Sequence, residues 1–217
     1  MRLGTRRRRT AALLLCFPML LAGLLAGCGG LLPKAPERPL YRLNPAMGLT
    51  QPARRVGALL VIATPTASAG LDTKRIALIR SPVVIEYYAE GEWVDRPPFL
   101  VKEALIESFQ KSGAFAGVST EGLGLSADYV LNTDTRDFTA IYDTPDGPPL
   151  ARVRIAAELI TMPGRNIAAA TSVTREARAG ANDLPSVVQA FDRASGEAIQ
   201  DLIAWAAGNR ALSGKRK

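Results

Sequence analysis

The chain has no histidine. It therefore lacks the side chain best suited to proton transfer near neutral pH and the commonest metal ligand. Cysteine occurs only as Cys16 and Cys28, which are too far apart for a Cys-x-x-Cys pair, so neither a zinc knuckle nor a redox dithiol is available. Acidic residues are missing altogether before Cys28. Aromatic residues make up only 6% of the chain, so any local concentration of them carries information.

The formal charge of +7 would suit an anionic partner, but it is unevenly placed. Arg2, Arg6, Arg7, Arg8 and Arg9 all precede Cys28. Without these five, 22 basic residues face 20 acidic ones, a balance that selects no partner class. No nucleic-acid-binding module signature is present. The last residues, 208–217, form a basic tail with Arg210, Lys215, Arg216 and Lys217, a composition typical of a frayed, solvated end.

Serine or carboxylate chemistry is what remains for catalysis, and the patterns are weak. Ser108-Phe-Gln-Lys111 has the S-x-x-K spacing of an acylating serine, but no S-D-N or K-T-G partner accompanies it. Gly122-Leu-Gly124 lacks the lysine and third glycine of a phosphate cradle. Asp134, Asp137, Asp143 and Asp146 do not have the spacing of a calcium loop. The sequence reads as a non-enzyme, with no catalytic, metal or cofactor residue assigned.

What the chain does have is a marked N-terminus. A cationic stretch ends at Thr10, and no charge occurs from Ala11 to Leu32. Length alone would allow a membrane span. Pro18 interrupts the run, however, and small residues stand just before Cys28, as a signal peptidase requires. Leu25-Ala26-Gly27-Cys28 resembles the bacterial lipobox, which implies cleavage between Gly27 and Cys28 and lipidation of Cys28. Gly29 in place of aspartate resembles the enterobacterial pattern for outer-membrane lipoproteins. Pro33, Pro36 and Pro39 then favour an extended tether of about 3.1 Å per residue, roughly 35 Å in reach. The expected organisation is a signal peptide at 1–27, a lipidated tether at 28–40, a folded domain at 41–207 and the tail at 208–217.

Within the domain, Val56 to Thr64 is a nearly continuous apolar run that reads as a buried strand. Residues 66–74 read as a loop, and Arg75 to Arg80 and Val83 to Ala89 as strands divided at Ser81-Pro82. A helix is expected from Pro97 or Pro98 to Gly113, with Val101, Ala104, Leu105 and Phe109 on its apolar face. Ala127 to Tyr142 alternates loosely. Arg152 to Thr161 alternates well, with Val153, Ile155, Ala157 and Leu159 on one side. Ile167 to Glu176 completes a hairpin, and a second helix starts near Asp183 with Pro185 in its first turn. The fold class is α+β: a single domain with a mostly antiparallel or mixed sheet of about six or seven strands and two helices on one face.

Tyr87, Tyr88, Trp93 and Phe99 gather in one hairpin-to-helix segment. Neighbouring strand residues face opposite sides, so Tyr87 and Tyr88 cannot both enter one core. Tyr87, Tyr88 and Trp93 are therefore the candidate partner interface, covering of a sheet edge being the alternative.

The ordered set Gly70-Leu71-Asp72, Arg75-Ile76-Ala77, Tyr87-Tyr88-Ala89, Trp93 and Ser112-Gly113 with Phe115 resembles the ABC-type transport auxiliary lipoprotein family, in its PqiC-like branch. The resemblance implies a fold similar to the TolB N-terminal domain. It also implies a non-enzymatic accessory role beside an ABC permease, its ATPase and an MCE-domain protein moving lipids or other apolar solutes between inner and outer membranes. The lipobox and Gly29 together lead to the expectation of a lipid-anchored location on the periplasmic side of the envelope, at the outer membrane. A periplasmic lipid carrier and an assembly lipoprotein for cell-wall synthesis or secretion are the alternatives. Homo-oligomerisation is left open.

Overall fold

The computed structural model describes residues 38–44, 54–122 and 126–209, which belong to one compact unit beginning at Arg38. Gly27, Cys28, most of the proline tether and the tail from Arg210 lie outside the described residues.

Among the described residues nine strands and two helices follow in order: β1 Leu40–Tyr41, β2 Val56–Ile62, β3 Thr66–Ala67, β4 Arg75–Ser81, β5 Val84–Trp93, α1 Pro97–Ser112, β6 Phe115–Thr120, β7 Tyr129–Ile141, β8 Leu150–Thr161, β9 Asn166–Arg178 and α2 Leu184–Gly208. The mixed α+β sheet with two helices agrees with the sequence. The strand count is higher, because β1, β3 and β6 were not expected. The first two are only two residues long, and β6 carries Gly117 in a run without alternation.

Strand β7 is the spine of the sheet. Along one side it pairs antiparallel with β8 over its full length, from Tyr129 opposite Thr161 to Ile141 opposite Leu150. Along the other it pairs parallel in turn with β2, β3 and β4. Strand β6 extends the sheet beyond β2, β5 beyond β4, and β1 beyond β5; β9 flanks β8. The register of β7 against β8 slips between Thr135 and Asp137, a bulge centred on exposed Arg136. Before it the inward residues are Tyr129, Leu131, Thr133 and Thr135; after it they are Phe138 and Ala140. One extra residue has reversed the parity of the strand. This is why the sequence of β7 alternates only loosely.

Strand β8 contributes no extra residue at that bulge, Arg154 and Ile155 being consecutive across it, and Val153, Ile155, Ala157 and Leu159 all lie in the core. Its other face carries Arg152, held by Glu176 at 2.5 Å across to β9. Strand β2 has β6 on one side and β7 on the other, and Leu60, Val61 and Ile62 are all buried. A strand enclosed in this way takes an unbroken apolar run.

Helix α1 buries Val101, Ala104, Leu105, Ser108, Phe109 and Ser112, the three-and-four spacing of one helical face. It ends at Gly113, whose φ of 62° is the left-handed cap conformation that costs glycine nothing. Helix α2 runs unbroken through Ser195-Gly196 and packs on β8 and β9 and against α1. Asp183 caps it, its carboxylate accepting the Ser186 N–H at 2.8 Å. Replacing Asp183 by Ala leaves that N–H to water and is expected to lower stability by about 1 kcal/mol. A urea titration will read this as a lower midpoint with unchanged slope.

Candidate functional site

The aromatic segment of β5 and the chain entry at β1 occupy one edge of the sheet, and the structure separates the roles of the three aromatic residues expected at an interface. Trp93 ends β5 with no exposure at all. Its ring meets Phe138 of β7 edge-on at 5.5 Å and Phe191 of α2 at 5.4 Å, while those two stack at 4.7 Å. Its backbone N–H donates to the Lys74 carbonyl at 2.7 Å. The placement of Trp93 at a partner surface is therefore corrected: its side chain is core. The inward direction follows from β5 closing over the α2 side of the sheet, where three rings from three elements fill one space.

Tyr87 and Tyr88 are half-buried and face opposite sides, as adjacent strand residues must. The Tyr87 hydroxyl donates to the Gly70 carbonyl at 3.0 Å, and the Arg75 guanidinium lies 3.6 Å over its ring. Tyr88 is linked through its hydroxyl to that of Tyr142 at 2.9 Å. Tyr142 donates onward to Asn182 Oδ1 at 2.8 Å, and the Asn182 amide donates to the Asp146 carbonyl at 3.2 Å. Tyr142 has one proton and gives it to Asn182, so Tyr88 donates to Tyr142. Burial, then this hydrogen bond, push the Tyr88 phenol far above its ordinary range. Both phenols are thus committed to internal partners, and each leaves only part of its ring at the surface.

The Gly70-Leu71-Asp72 segment gains a physical reading. The Ser68 carbonyl accepts the N–H groups of Leu71 and Asp72 at 2.8 and 2.9 Å, forming a tight turn. Leu71 enters the core, and Asp72 reaches Arg96 at 3.1 Å just before α1. Gly70 lies so close to β5 that an added Cβ would stand 3.2 Å from Ile85 Cδ1. The segment is a plug that ties the loop before β4 to β5 and to the start of α1.

Chain entry is equally specific. The Glu92 N–H donates to the Pro39 carbonyl at 3.1 Å and the Val94 N–H to the Tyr41 carbonyl at 2.7 Å, seating β1 parallel to the end of β5. Arg38 pairs with Glu92 at 3.3 Å. Past β1, the Asn44 N–H donates to Asp192 of α2 at 2.8 Å. Gly91 permits the close fit: a Cβ there would meet Tyr41 Cε2 at 2.7 Å and Leu184 Cδ2 at 2.8 Å. Three elements, β1, β5 and the start of α2, converge on one glycine. The sequence reading did not single out this seat. Its only signal was the Tyr41-Arg42-Leu43 segment after the prolines.

The residues weighed for catalysis are dispersed. Ser108 is buried, whereas Lys111 reaches Glu107 at 2.5 Å on the exposed side of α1. Asp134 accepts from Thr66 and Arg136, Asp137 accepts from Thr139, and Asp143 forks with Arg178. Among the described residues no group of three or more acidic, cysteine or histidine side chains converges on a point. Nor, among them, is any helix long and apolar enough to cross a membrane.

The chain belongs to the family described as the ABC-type transport auxiliary lipoprotein component, whose model matches residues 41–203. The role attached to that family is that of an envelope lipoprotein and auxiliary component in ABC-type transport. An uncharacterised protein of Bradyrhizobium diazoefficiens, bll6063, is 32% identical over 188 residues, covering 86% of this chain. The chain spans about half that relative's length, 49%. Among solved structures, XCC0632 of Xanthomonas campestris, of the DUF330 family, has a TM-score of 0.69 at 23% identity, covering 83% of this chain and 97% of its own. A second, described only as an uncharacterised protein, has a TM-score of 0.60 at 14% identity, covering 78% and 97%. These likenesses concern the fold.

Two outcomes test the site as described. Trp93→Ala removes a fully buried ring from a three-ring cluster and is expected to cost about 3–5 kcal/mol, whereas Tyr87→Phe loses one hydrogen bond and costs about 1 kcal/mol. Chemical denaturation of both variants reads the difference. The second concerns Asp192. Burial raises its carboxyl above the ordinary value of 3.8, partly offset by the Asn44 N–H, Arg193 and Arg42. The native state thus holds this proton to higher pH than the unfolded chain does. Its contribution to stability is complete below pH 3.8 and is lost as pH rises through the raised native value. Asp192→Asn keeps an acceptor oxygen for Asn44 and is expected to flatten that part of the stability–pH curve; a variant curve that still falls there contradicts the assignment.

Proposed function

We propose that this protein is a tethered, non-enzymatic docking module of an MCE-type transport system. In this reading a peptidase cuts between Gly27 and Cys28, and acyl chains on Cys28 hold the mature N-terminus in the outer membrane. A single acyl chain holds a protein only marginally, and two or more hold it firmly. The prolines of the 28–40 tether give reach, and the domain docks on an MCE-domain protein that works with an ABC permease and ATPase. The cargo would be lipids or other apolar solutes crossing the space between the two membranes.

The observation that carries this reading is the seat of β1. The segment arriving from the tether is clamped by two backbone hydrogen bonds, the Arg38–Glu92 pair and the Asn44–Asp192 contact before the chain continues. A seat of this kind fixes the point on the fold from which the tether leaves, so the anchor is always connected to one defined edge of the domain. Membership in the auxiliary lipoprotein family supports the same role. The carrier alternative finds no comparable support, since the space between sheet and helices is filled by Trp93, Phe138, Phe191 and Leu202, none of them exposed.

Mass spectrometry of the protein from its native host is expected to find an N-terminus at Cys28 bearing acyl groups, and Cys28→Ala is expected to abolish them. Affinity capture of the native lipoprotein after mild crosslinking is expected to recover an MCE-domain protein with its permease. An intact leader refutes the anchor; recovery of a peptidoglycan synthase in place of the MCE protein favours the assembly alternative.

A further inference from the structure

Six large apolar side chains are conspicuously exposed among the described residues: Leu40, Val83, Val84, Ile85, Val94 and Ile167. Five of them lie along a single edge of the sheet, the one formed by β5 and capped by β1. Val83 stands at the β4–β5 turn with 90% of its surface in water, and Val84 and Ile85 follow it into β5. Leu40 of β1, 64% exposed, and Val94 lie at the other end. Scattered surface apolar residues are ordinary; five on one edge of a domain this poor in other exposed apolar groups are not.

The same edge is where the chain enters. Arg38 to Tyr41 lies against β5, so the tether leaves the domain beside Leu40. Val84 to Trp93 is nine residue steps, about 30 Å of strand. The twelve residues from Gly29 to Leu40 reach roughly 35 Å when extended, so an anchor at position 28 allows every part of the edge to meet the surface that holds it. Reach is a maximum separation, not an imposed one. The edge is also close to neutral: Arg38 pairs with Glu92 and Arg80 with Glu86 at 2.6 Å, and Arg42, Lys74 and Arg75 stand against Glu90 and Asp95, leaving an excess of one positive charge.

We propose that the β1–β5 edge lies on the bilayer holding the anchor, with Leu40, Val83, Val84, Ile85 and Val94 resting in its zwitterionic headgroup layer. The proposal rests on the lipid-anchor reading above. The contact is shallow, because the outer backbone groups of β5 need water or headgroups as partners and cannot enter the hydrocarbon. A few valines and an isoleucine would bind a free bilayer weakly. The anchor supplies the missing strength by making the contact intramolecular, at an effective concentration in the millimolar range. With the charges nearly balanced, binding should respond little to salt or to anionic lipid.

The test uses the full lipidated chain in phosphatidylethanolamine–phosphatidylcholine vesicles. The thiol of Cys28 is consumed by its lipid, so Val83→Cys gives one reactive site for an environment-sensitive fluorophore, and Ile167→Cys on the opposite side of the sheet gives the control. The label at position 83 is expected to shift to the blue and to be quenched several-fold more than the control by spin-labelled lipid near the headgroups. Added anionic lipid should barely strengthen the effect. Val83→Asp changes a solvated turn residue and leaves folding intact; it should remove the shift from a label at position 85. A chain that floats with the vesicles while position 83 stays as open to iodide as position 167 overturns the proposal and leaves the anchor standing. Protection that requires added membrane proteins assigns the edge to a protein partner and also overturns it. A chain that does not float refutes the anchor. The labelled chain is then titrated with vesicles to millimolar lipid, where position 83 must still shift for the edge contact to survive.

Discussion

Trp93, Phe138 and Phe191 come from β5, β7 and α2, and their mutual contact fixes how those three elements lie. Buried rings in edge and stacked geometry contribute both apolar area and a preferred orientation, so the cluster sets angle as well as distance. With the end of β5 held there, Glu92 and Val94 present their N–H groups to β1, and Gly91 faces the start of α2. Asp192 follows Phe191 on α2, which places its carboxylate under Asn44. The tether seat is thus a consequence of the aromatic cluster. The indole Nε1 finds no hydrogen-bond partner among the described residues, so packing carries the ring at some cost in polar satisfaction.

Much of the architecture is legible in the residues because local signals agree with tertiary demand. Helix α1 declares itself through prolines at its start, a clean apolar face and Gly113 at its end. Helix α2 does so through Asp183 and Pro185, and β8 through strict alternation. The unread parts are those where no local rule applies. Strands β1 and β3 exist because longer strands offer them backbone partners, and two residues carry no period. Strand β6 is short, contains Gly117 and leans on β2. The bulge at Arg136 hides the true period of β7 by changing its parity midway.

The site is where sequence reasoning misassigned a residue. A tryptophan near two tyrosines satisfies the composition of an interface and of a core alike. What decides between them is which way the end of β5 faces, and that depends on Phe138 and Phe191, dozens of residues away. Three of the five exposed apolar groups on the edge stand together in the sequence, within Ser81-Pro-Val-Val-Ile85. They read there as ordinary strand residues, because nothing local says that β5, paired with β4 on one side, has no strand on its outer side over most of its length. The family motif is more transparent in three dimensions: Gly70, Leu71 and Asp72 serve as close approach, core plug and link to Arg96.

The parallel sense of the β1–β5 pair has a mechanical corollary. A pull transmitted from the N-terminal side along the strand axis loads the bonds at Pro39 and Tyr41 together, in shear. The same pull applied sideways would open them one after another, beginning at Pro39. A short parallel splice is therefore stiff toward tension along its axis and compliant toward lateral tugging, so the joint responds to the heading of a force as well as to its size.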